Sequence, residues 1–368
     1  MRNFIRQHAL FCYLSSRLFF KILGTALLLT LIMEALTLLE QMTPILQRGL
    51  GIHGVIKYML LRLPQLFSSI LPLSVLIGSI ITLTQLTIAY EMTILRAAGL
   101  STFGLIKIFL PTLLFLSVVC IIFDDQITPR TEMNLAIWWN KTNPTPENNK
   151  SFWFYQGLTL TEIKHLAYGG NKILGLNIYE RKDTDQLSSV LSAEQANYEN
   201  GHWILSNAKK MEIKENLSPE FVQLTGPLTA PQQIIWDTPV TPRELVALSS
   251  NAIPQPAHVL LSQIHNKLPS KQPIGFLKTA LWQRFFLPFT FIVMLMIAIP
   301  VTYIPPRAGL KSGLPVYCLG FGLLFIIFQG VLRALGNAGT LPAPMTVIPS
   351  ILLFFLATSA VILRIEEK

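Results

Sequence analysis

Long runs of apolar residues that contain no Lys, Arg, Asp or Glu constrain the fold of this chain more than any other feature. The hydrocarbon core of a bilayer is about 30 Å thick, and an α-helix needs about 20 residues to cross it. Four runs reach that length, with 28, 22, 21 and 30 residues. They predict four membrane-spanning helices, within Leu63–Tyr90, Phe285–Pro306, Ser312–Leu332 and Ala334–Leu363.

Two further apolar runs become long enough to span a bilayer when each is allowed one charged residue. The first extends from Ile22 past Glu34 to Leu39, and the second continues past Lys107 to Phe123. Because the first run contains a carboxylate and no small-residue cleavage pattern closes it, we interpret it as a retained span rather than a signal peptide. The sequence therefore predicts six spans, three on each side of a polar middle segment.

The charges are distributed unevenly between the spans and this middle segment. The chain has 29 basic and 20 acidic residues, whereas residues 124–283 have 14 and 15. The basic excess thus belongs to the membrane part, where Lys and Arg usually lie at lipid headgroups, and nucleic acid is not an expected partner. An even number of spans puts both termini on one side, and the Lys and Arg bias favours the cytoplasmic side, with the middle segment in the periplasm.

The polar middle segment has the alternating pattern of β-strands. Leu174, Leu176 and Ile178 alternate with less apolar neighbours, and Asn200-Gly201 predicts a hairpin turn. Several short strands separated by such turns predict a β-sandwich or jellyroll, and His258–His265 predicts a helical return to the fourth span. The fold class is therefore a membrane α-helical protein with six helices (3+3) and an inserted periplasmic β-jellyroll. Its predicted domains are residues 1–123, 124–275 and 276–368.

The segment from Ser151 to Tyr155 is apolar on both faces. One interpretation is a central strand that is covered on both sides. The other is a strand whose inner face, with Phe152 and Phe154, touches a lipid tail in a groove of the β-domain. The sequence leaves both interpretations open.

Signatures of catalysis and of metal binding are missing from the sequence. It contains no G-x-x-x-x-G-K-[ST] phosphate loop, no HExxH motif and no G-x-S-x-G nucleophile elbow. The three cysteines lie in or beside apolar runs without metal-ligand spacing, which is typical of small buried side chains. We therefore predict no catalytic residue, no metal site, no bound cofactor and no enzymatic activity of the chain's own.

Charged residues within the first span have both a structural and a functional interpretation. Arg17 and Lys21 lie near its inner end, where long side chains extend to the interface. Glu34 lies deep in the span, where a carboxylate either forms an interhelical hydrogen bond or lines a polar cavity. Glu34 is therefore a candidate residue for contact with a transported lipid.

A short polar segment, Tyr90–Leu100, separates the second and third spans. Glu91 near a helix start is favourable in itself, because it faces the positive end of the helix dipole, and Gly99 is a natural helix end. The alternative is a docking element, a short cytoplasmic helix whose charged residues Glu91 and Arg96 insert into a groove of a soluble subunit. This alternative predicts a membrane subunit that is driven from outside.

Taken together, these segments resemble the YjgP/YjgQ permease family over the whole chain. The resemblance is carried by three spans, a polar β-domain, three further spans, and the loop Glu91-Met-Thr-Ile-Leu-Arg96-Ala-Ala-Gly99. The family comprises LptF and LptG, the paired membrane subunits of the lipopolysaccharide exporter. Three stretches in the second half are closer to the LptG branch, namely Thr241-Pro-Arg-Glu-Leu245, Leu281-Trp-Gln-Arg-Phe-Phe-Leu-Pro288 and Ala334-Leu-Gly-Asn-Ala-Gly-Thr-Leu-Pro-Ala-Pro344.

The resemblance implies a permease of the inner membrane that extracts lipopolysaccharide (LPS) from the outer leaflet and passes it to a bridge of β-jellyroll domains. The implied partners are an LptF-like permease in a heterodimer, an LptB-like ATPase dimer that binds the ATP, and an LptC-like bitopic protein. The family's acidic coupling residue corresponds to Glu91, with Arg96 on the same helix. The first and fifth spans correspond to the side gates for lipid.

The chain departs from the family at the cations that meet lipid phosphates. The comparable positions are Thr37 and Gln65, and the nearby Arg48, Lys57 and Arg62 are the candidate substitutes. A second functional class is a membrane-anchored assembly or sensor protein whose β-domain binds a periplasmic partner. Copurification of an ATPase distinguishes the exporter from this alternative.

Overall fold

The computed structural model describes residues 2–142, 151–167, 170–182, 186–199, 201–212, 232–238, 240–249, 254–265, 268–304 and 313–366. The chain divides into two compact units. The helical unit comprises residues 1–43, 55–128 and 278–368, and the β unit comprises residues 44–54 and 129–277.

Within the described residues, six helices are long and apolar enough to cross a membrane, which confirms the predicted number of spans. The second and third are separated by the short helix α3, and the third continues through a π-helical turn, Phe123–Ile127, into α5. The fourth ends in a 3₁₀ turn, Ile299–Tyr303. The helices are α1 (Arg2–Gln47), α2 (Gly51–Ile88), α3 (Glu91–Ala97), α4 (Thr102–Ile122), α5 (Thr128–Lys141), α6 (Pro242–Ser249), α7 (Ala257–Ile264), α8 (Ile274–Ala298), α9 (Leu314–Asn337) and α10 (Ala343–Glu366).

Small residues set the closest approaches between the spans. At Gly78 in α2, an added Cβ would lie 2.7 Å from the Cα of Ile22 in α1. At Gly322 in α9, it would overlap a methyl carbon of Leu76 in α2. In lipid there is no hydrophobic driving force between helices, so close packing at small residues contributes much of their association. The first, second and fifth spans therefore meet through these two glycines.

The β unit contains one six-stranded antiparallel sheet with its strands in sequence order. A membrane helical protein with an inserted β-domain is thus confirmed, but the described strands form a single meander, whereas a jellyroll has two sheets. Gly201 has a φ of +87°, and Glu199 pairs with His202 across the predicted hairpin. The strands are β1 (Phe152–Gln156), β2 (Thr159–Ala167), β3 (Lys172–Arg181), β4 (Leu187–Glu199), β5 (His202–Glu212) and β6 (Gln232–Trp236).

The alternation of buried residues in β3 is interrupted at Gly175. Gly175 has a φ of +75° and lies against the side chain of Lys164. The pairing register with β2 and with β4 is the same on both sides of Gly175, but Ile173, rather than Leu174, is buried together with Leu176 and Ile178. The alternation predicted from sequence is therefore correct only on the C-terminal side of Gly175.

Helix α6 completes the core of the β unit. It begins with the predicted proline, and Thr241 and Glu244 each accept a hydrogen bond from the other's backbone N–H, which forms a capping box. Leu245 and Val246 of α6 are buried in the same cluster as the fully buried Trp203. The Trp203 indole also donates a 2.8 Å hydrogen bond to the carbonyl of Val240, which fixes the segment that leads into α6.

Candidate functional site

Helix α3 is the centre of the candidate site. It begins directly after Tyr90, whose φ of 59° is uncommon for a residue with a side chain. It ends at Ala97, two residues before Gly99, whose φ of +87° allows the backbone N–H groups of Gly99 and Leu100 to bond to the carbonyls of Arg96 and Leu95. A left-handed residue at each end thus isolates a helix of seven residues between two spans.

Glu91, the first residue of α3, binds to α1. Both of its carboxylate oxygens accept hydrogen bonds from Nη1 of Arg17, at 2.8 and 2.9 Å. The hydroxyl of Tyr13, one turn earlier on α1, donates to the same carboxylate at 3.2 Å and accepts from Arg17 at 2.8 Å. About one third of each charged side chain is exposed, so the pair contributes about 1 kcal/mol at most. Arg17 therefore has a specific partner, rather than only the interfacial position that its sequence suggested.

Arg96, in the last turn of α3, binds to residues that follow the fourth span. Its Nη2 donates a 2.8 Å hydrogen bond to the hydroxyl of Thr302, and its guanidinium lies 3.8 Å from the centre of the Tyr303 ring. The Tyr303 hydroxyl is hydrogen-bonded to Thr102, the first residue of α4, at 2.7 Å. The 3₁₀ turn that carries Thr302 and Tyr303 follows directly on α8, so Arg96 connects α3 to the end of the fourth span.

The remaining surface of α3 separates into a buried side and an exposed side. Met92 is 2% exposed and belongs to the core of the helical unit, and Leu95 packs against that core. Ile94 is 66% exposed, and Thr93 and Ala97 are exposed beside it. The two charged residues predicted to enter a partner's groove are thus hydrogen-bonded within the chain, and the exposed side is small and largely uncharged.

Two of the lipid-contact candidates meet inside the helical unit. Glu34 is 1% exposed, and neither carboxylate oxygen has a hydrogen-bond partner among the described residues. Arg62 of α2 interacts with it electrostatically and lies 5.9 Å from the centre of the Tyr58 ring. Lys57, the residue directly before Tyr58 on the same helix, is exposed. The structure therefore brings Glu34 and Arg62 together on neighbouring spans.

Arg48 lies in the β unit, in the turn between α1 and α2. Its Nη1 donates a 2.6 Å hydrogen bond to the carbonyl of Trp139, and its guanidinium lies 3.8 Å from the centre of that indole ring. Burial lowers the pKa of Arg48, in accord with a cation that is partly removed from water. Both the charge and the ring are therefore engaged within the β unit.

Phe152 and Phe154, the lipid-groove candidates, are 5% and 0% exposed and belong to the core of the β unit. Among the described strands, β1 lies at the edge of the sheet, so the interpretation as a central strand is wrong. The opposite face exposes Trp153 and Tyr155, and the backbone of Tyr155 exchanges two hydrogen bonds with Ser270. The alternation is hidden in the sequence because the four residues after Ser151 are all aromatic.

Comparison with known proteins identifies the family. Residues 12–364 match the family of the lipopolysaccharide export system permease LptF/LptG. This match covers nearly the whole chain.

The chain belongs to the LptF/LptG family.

Two relatives of this family have the name lipopolysaccharide export system permease protein LptG. The protein of Escherichia coli (strain K12) is 22% identical over 330 residues, which cover 87% of this chain and 88% of the relative. The protein of Haemophilus influenzae is 22% identical over 302 residues, which cover 79% and 81%. The family predicted from sequence is confirmed, and this LptF/LptG member is a multi-pass transport permease of the inner membrane.

Sequence reasoning missed one charged group in this LptF/LptG permease. Arg284 of α8 donates to a carboxylate oxygen of Asp125 at 3.1 Å and to the carbonyl of Asp124 at 3.4 Å. Both acids lie in the π-helical turn, a rare conformation that is frequent at functional sites. Two adjacent aspartates at the end of the third apolar run were the available signal. The π-helical turn itself has no sequence signature comparable to a cap or a hairpin.

Proposed function

We propose that this permease is the membrane subunit of an ATP-driven machine that extracts LPS from the outer leaflet of the inner membrane. A separate LptB-like ATPase dimer binds and hydrolyses the ATP. It docks on the exposed side of α3, and its conformational change displaces that helix and the spans attached to it. The lipid then passes to a periplasmic bridge of β-domains.

The observation that carries this proposal is the position of α3 and its exposed side. A seven-residue helix between two spans presents Ile94 to its surroundings, with Thr93 and Ala97 beside it. A largely uncharged surface of this size fits a shallow groove, whereas burying its charged residues in a partner would require Glu91 and Arg96 to leave Arg17 and Thr302. We infer that apolar contact holds the ATPase to α3.

The exposure of two spans supports a second permease as partner. In the most apolar stretches of α1 and α9, only 22% and 17% of the residues are buried, against 61% in α2. The exposed side chains on both helices are large and apolar, which suits contact with lipid or with another membrane helix. An LptF-like chain opposite these two helices would enclose the LPS cavity, with the partly exposed Arg62 facing the headgroup.

The β-domain supports a role in passing the lipid onward. Among the described strands, β1 and β6 lie at the two edges of the sheet, and an edge strand can extend a sheet into another protein. Ser270 occupies part of the β1 edge, so β6 is the proposed contact with an LptC-like domain.

The experiment is copurification of the ATPase with variants on α3. Ile94→Asp places a carboxylate on the exposed side and is expected to reduce recovery of the ATPase at least tenfold, because it introduces a charge into an apolar contact. Lys107→Asp is the matched control, since Lys107 is also exposed but lies on α4. The control is expected to retain the ATPase.

Equal recovery of the ATPase with both variants would contradict docking through this side of α3. A wild-type chain from which no ATPase is recovered, in the presence of its permease partner, would instead favour the membrane-anchored assembly or sensor protein.

A further inference from the structure

The two ends of α3 bind two different spans, and neither contact is made through the peptide chain. Covalently, α3 is joined only to α2, through Ala89 and Tyr90, and to α4, through the segment that contains Gly99. Glu91 adds a contact with α1, and Arg96 adds one with the end of α8. A helix of seven residues thereby touches or joins four of the six spans.

The helix itself is too short to transmit a displacement by its own rigidity. An isolated helix of this length is unstable in water, because nucleation costs more than one or two turns recover. Its flanking residues also have left-handed conformations, with φ values of 59° and 87°, and no regular structure continues through them. The side-chain contacts at its two ends, together with the buried Met92, therefore connect it to the spans.

We propose that Arg17 and Tyr303 are positioning residues that fix α3 to α1 and α8, so that displacement of α3 moves these two spans together. Arg17 holds the N-terminal end with its hydrogen bonds of 2.8 and 2.9 Å to Glu91, supported by Tyr13. Tyr303 holds the C-terminal end with its ring 3.8 Å from the Arg96 guanidinium. The inference rests on the proposed function, because it names the route by which the docked ATPase acts on the spans.

The two contacts differ in chemistry. At the α1 end a charged pair defines the contact, and charge reversal on both sides preserves it. At the α8 end the planar guanidinium lies close to an aromatic ring, so the ring matters more than the hydroxyl. This difference gives each end its own rescue variant.

The α1 end is tested in the complex of the chain with its permease partner and the ATPase, reconstituted in liposomes that contain LPS. The measured quantity is the amount of LPS released per ATP hydrolysed. Arg17→Ala is expected to lower this ratio about fivefold, which is the lower end of typical coupling between sites. Lys21→Ala, which removes a cation one turn further along α1, is expected to leave it unchanged.

Charge exchange then separates the intramolecular pair from a direct contact of Glu91 with the ATPase. Arg17→Glu and Glu91→Arg are each expected to be at least as defective as Arg17→Ala, and the double variant is expected to regain at least half of the wild-type ratio. A double variant no better than Glu91→Arg would overturn the proposed role of Arg17.

At the α8 end, Tyr303→Leu is expected to lower LPS release per ATP about fivefold, as at the other end. Tyr303→Phe keeps the ring beneath Arg96 and loses the bond to Thr102, and it is expected to stay within twofold of wild type. Equal loss in both variants would show that the hydroxyl contact, and not the ring, is what matters. That result would overturn the assignment.

The outcomes also separate this inference from the proposed function. If Arg17→Ala and Tyr303→Leu copurify with the ATPase and release as much LPS per ATP as the wild type, the positioning roles are wrong, and the proposed function as an exporter is unaffected. If the wild-type complex hydrolyses ATP without releasing LPS, the proposed function fails and this inference fails with it.

Discussion

Gly78 offers the sharpest test of how closely the first two spans approach. In Gly78→Ala the new methyl carbon would lie 2.7 Å from the Cα of Ile22 and 2.9 Å from its backbone nitrogen. Carbon atoms rest about 3.5–4.0 Å apart, so α1 and α2 must separate locally by about 1 Å. A side-chain rotation cannot relieve this contact, because two of its three nearest atoms belong to the backbone.

The expected cost follows from the contacts that such a gap weakens. Ile22 is fully buried, and a buried side chain of this size makes about 40–60 atomic contacts worth about 0.1–0.2 kcal/mol each. A gap of about 1 Å forfeits roughly a quarter to a half of each. Part of the shell around Ile22 is affected, so we expect the free energy of unfolding to fall by about 2 kcal/mol, within the range of about 1–3 kcal/mol for overpacked cores.

The control is Gly24→Ala on α1, where an added Cβ meets no atom within 4 Å. Both substitutions gain about 1 kcal/mol of helix propensity, so the difference between the two variants isolates the steric term. The measurement is reversible unfolding of the purified chain by SDS in mixed micelles. Free energies of unfolding that agree within about 0.5 kcal/mol would refute this close approach of α1 and α2.

Two further predictions concern packing in each unit. Gly322→Ala should lower the free energy of unfolding of the helical unit by about 1–3 kcal/mol relative to the control Gly320→Ala, where the added methyl group faces open space. Because the clash at Gly322 is with the Leu76 side chain, combining Gly322→Ala with Leu76→Ala should remove most of this difference. Trp203→Phe removes a 2.8 Å hydrogen bond in the core of the β-domain and should destabilise the β4–β5 hairpin by about 2 kcal/mol. The measurement is amide hydrogen exchange in the hairpin, which should become faster in this variant and stay unchanged in Trp153→Phe, at an exposed position.

The candidate site shows where sequence reasoning was sufficient and where it was not. The bounds of α3 followed from local signals, since Glu91 and Gly99 mark the start and end of a helix whatever surrounds it. The partners of Glu91 and Arg96 did not follow, because they are 74 and 206 residues distant in sequence. A charged residue near the end of an apolar run has many possible partners, and only the packing of the spans selects one.

In the β unit, too, local sequence signals predicted the elements, whereas the tertiary structure decided how they are arranged. Alternation and an Asn-Gly turn predicted strands and a hairpin, because side chains in a strand alternate between two faces and glycine tolerates positive φ. The order of the strands and the edge position of β1 depend on pairing between segments, which no single strand encodes. Phe152 and Phe154 therefore became core residues for a reason outside their own segment.

By itself, the sequence determined that this chain has six membrane helices and an inserted β-domain, because the thickness of a bilayer and the pleat of a strand impose fixed lengths and periods on any chain. Its motifs also placed it in the permease family. Only the tertiary structure decided that α3 is held at one end by α1 and at the other by α8, since such contacts arise from the packing of helices that are distant in sequence.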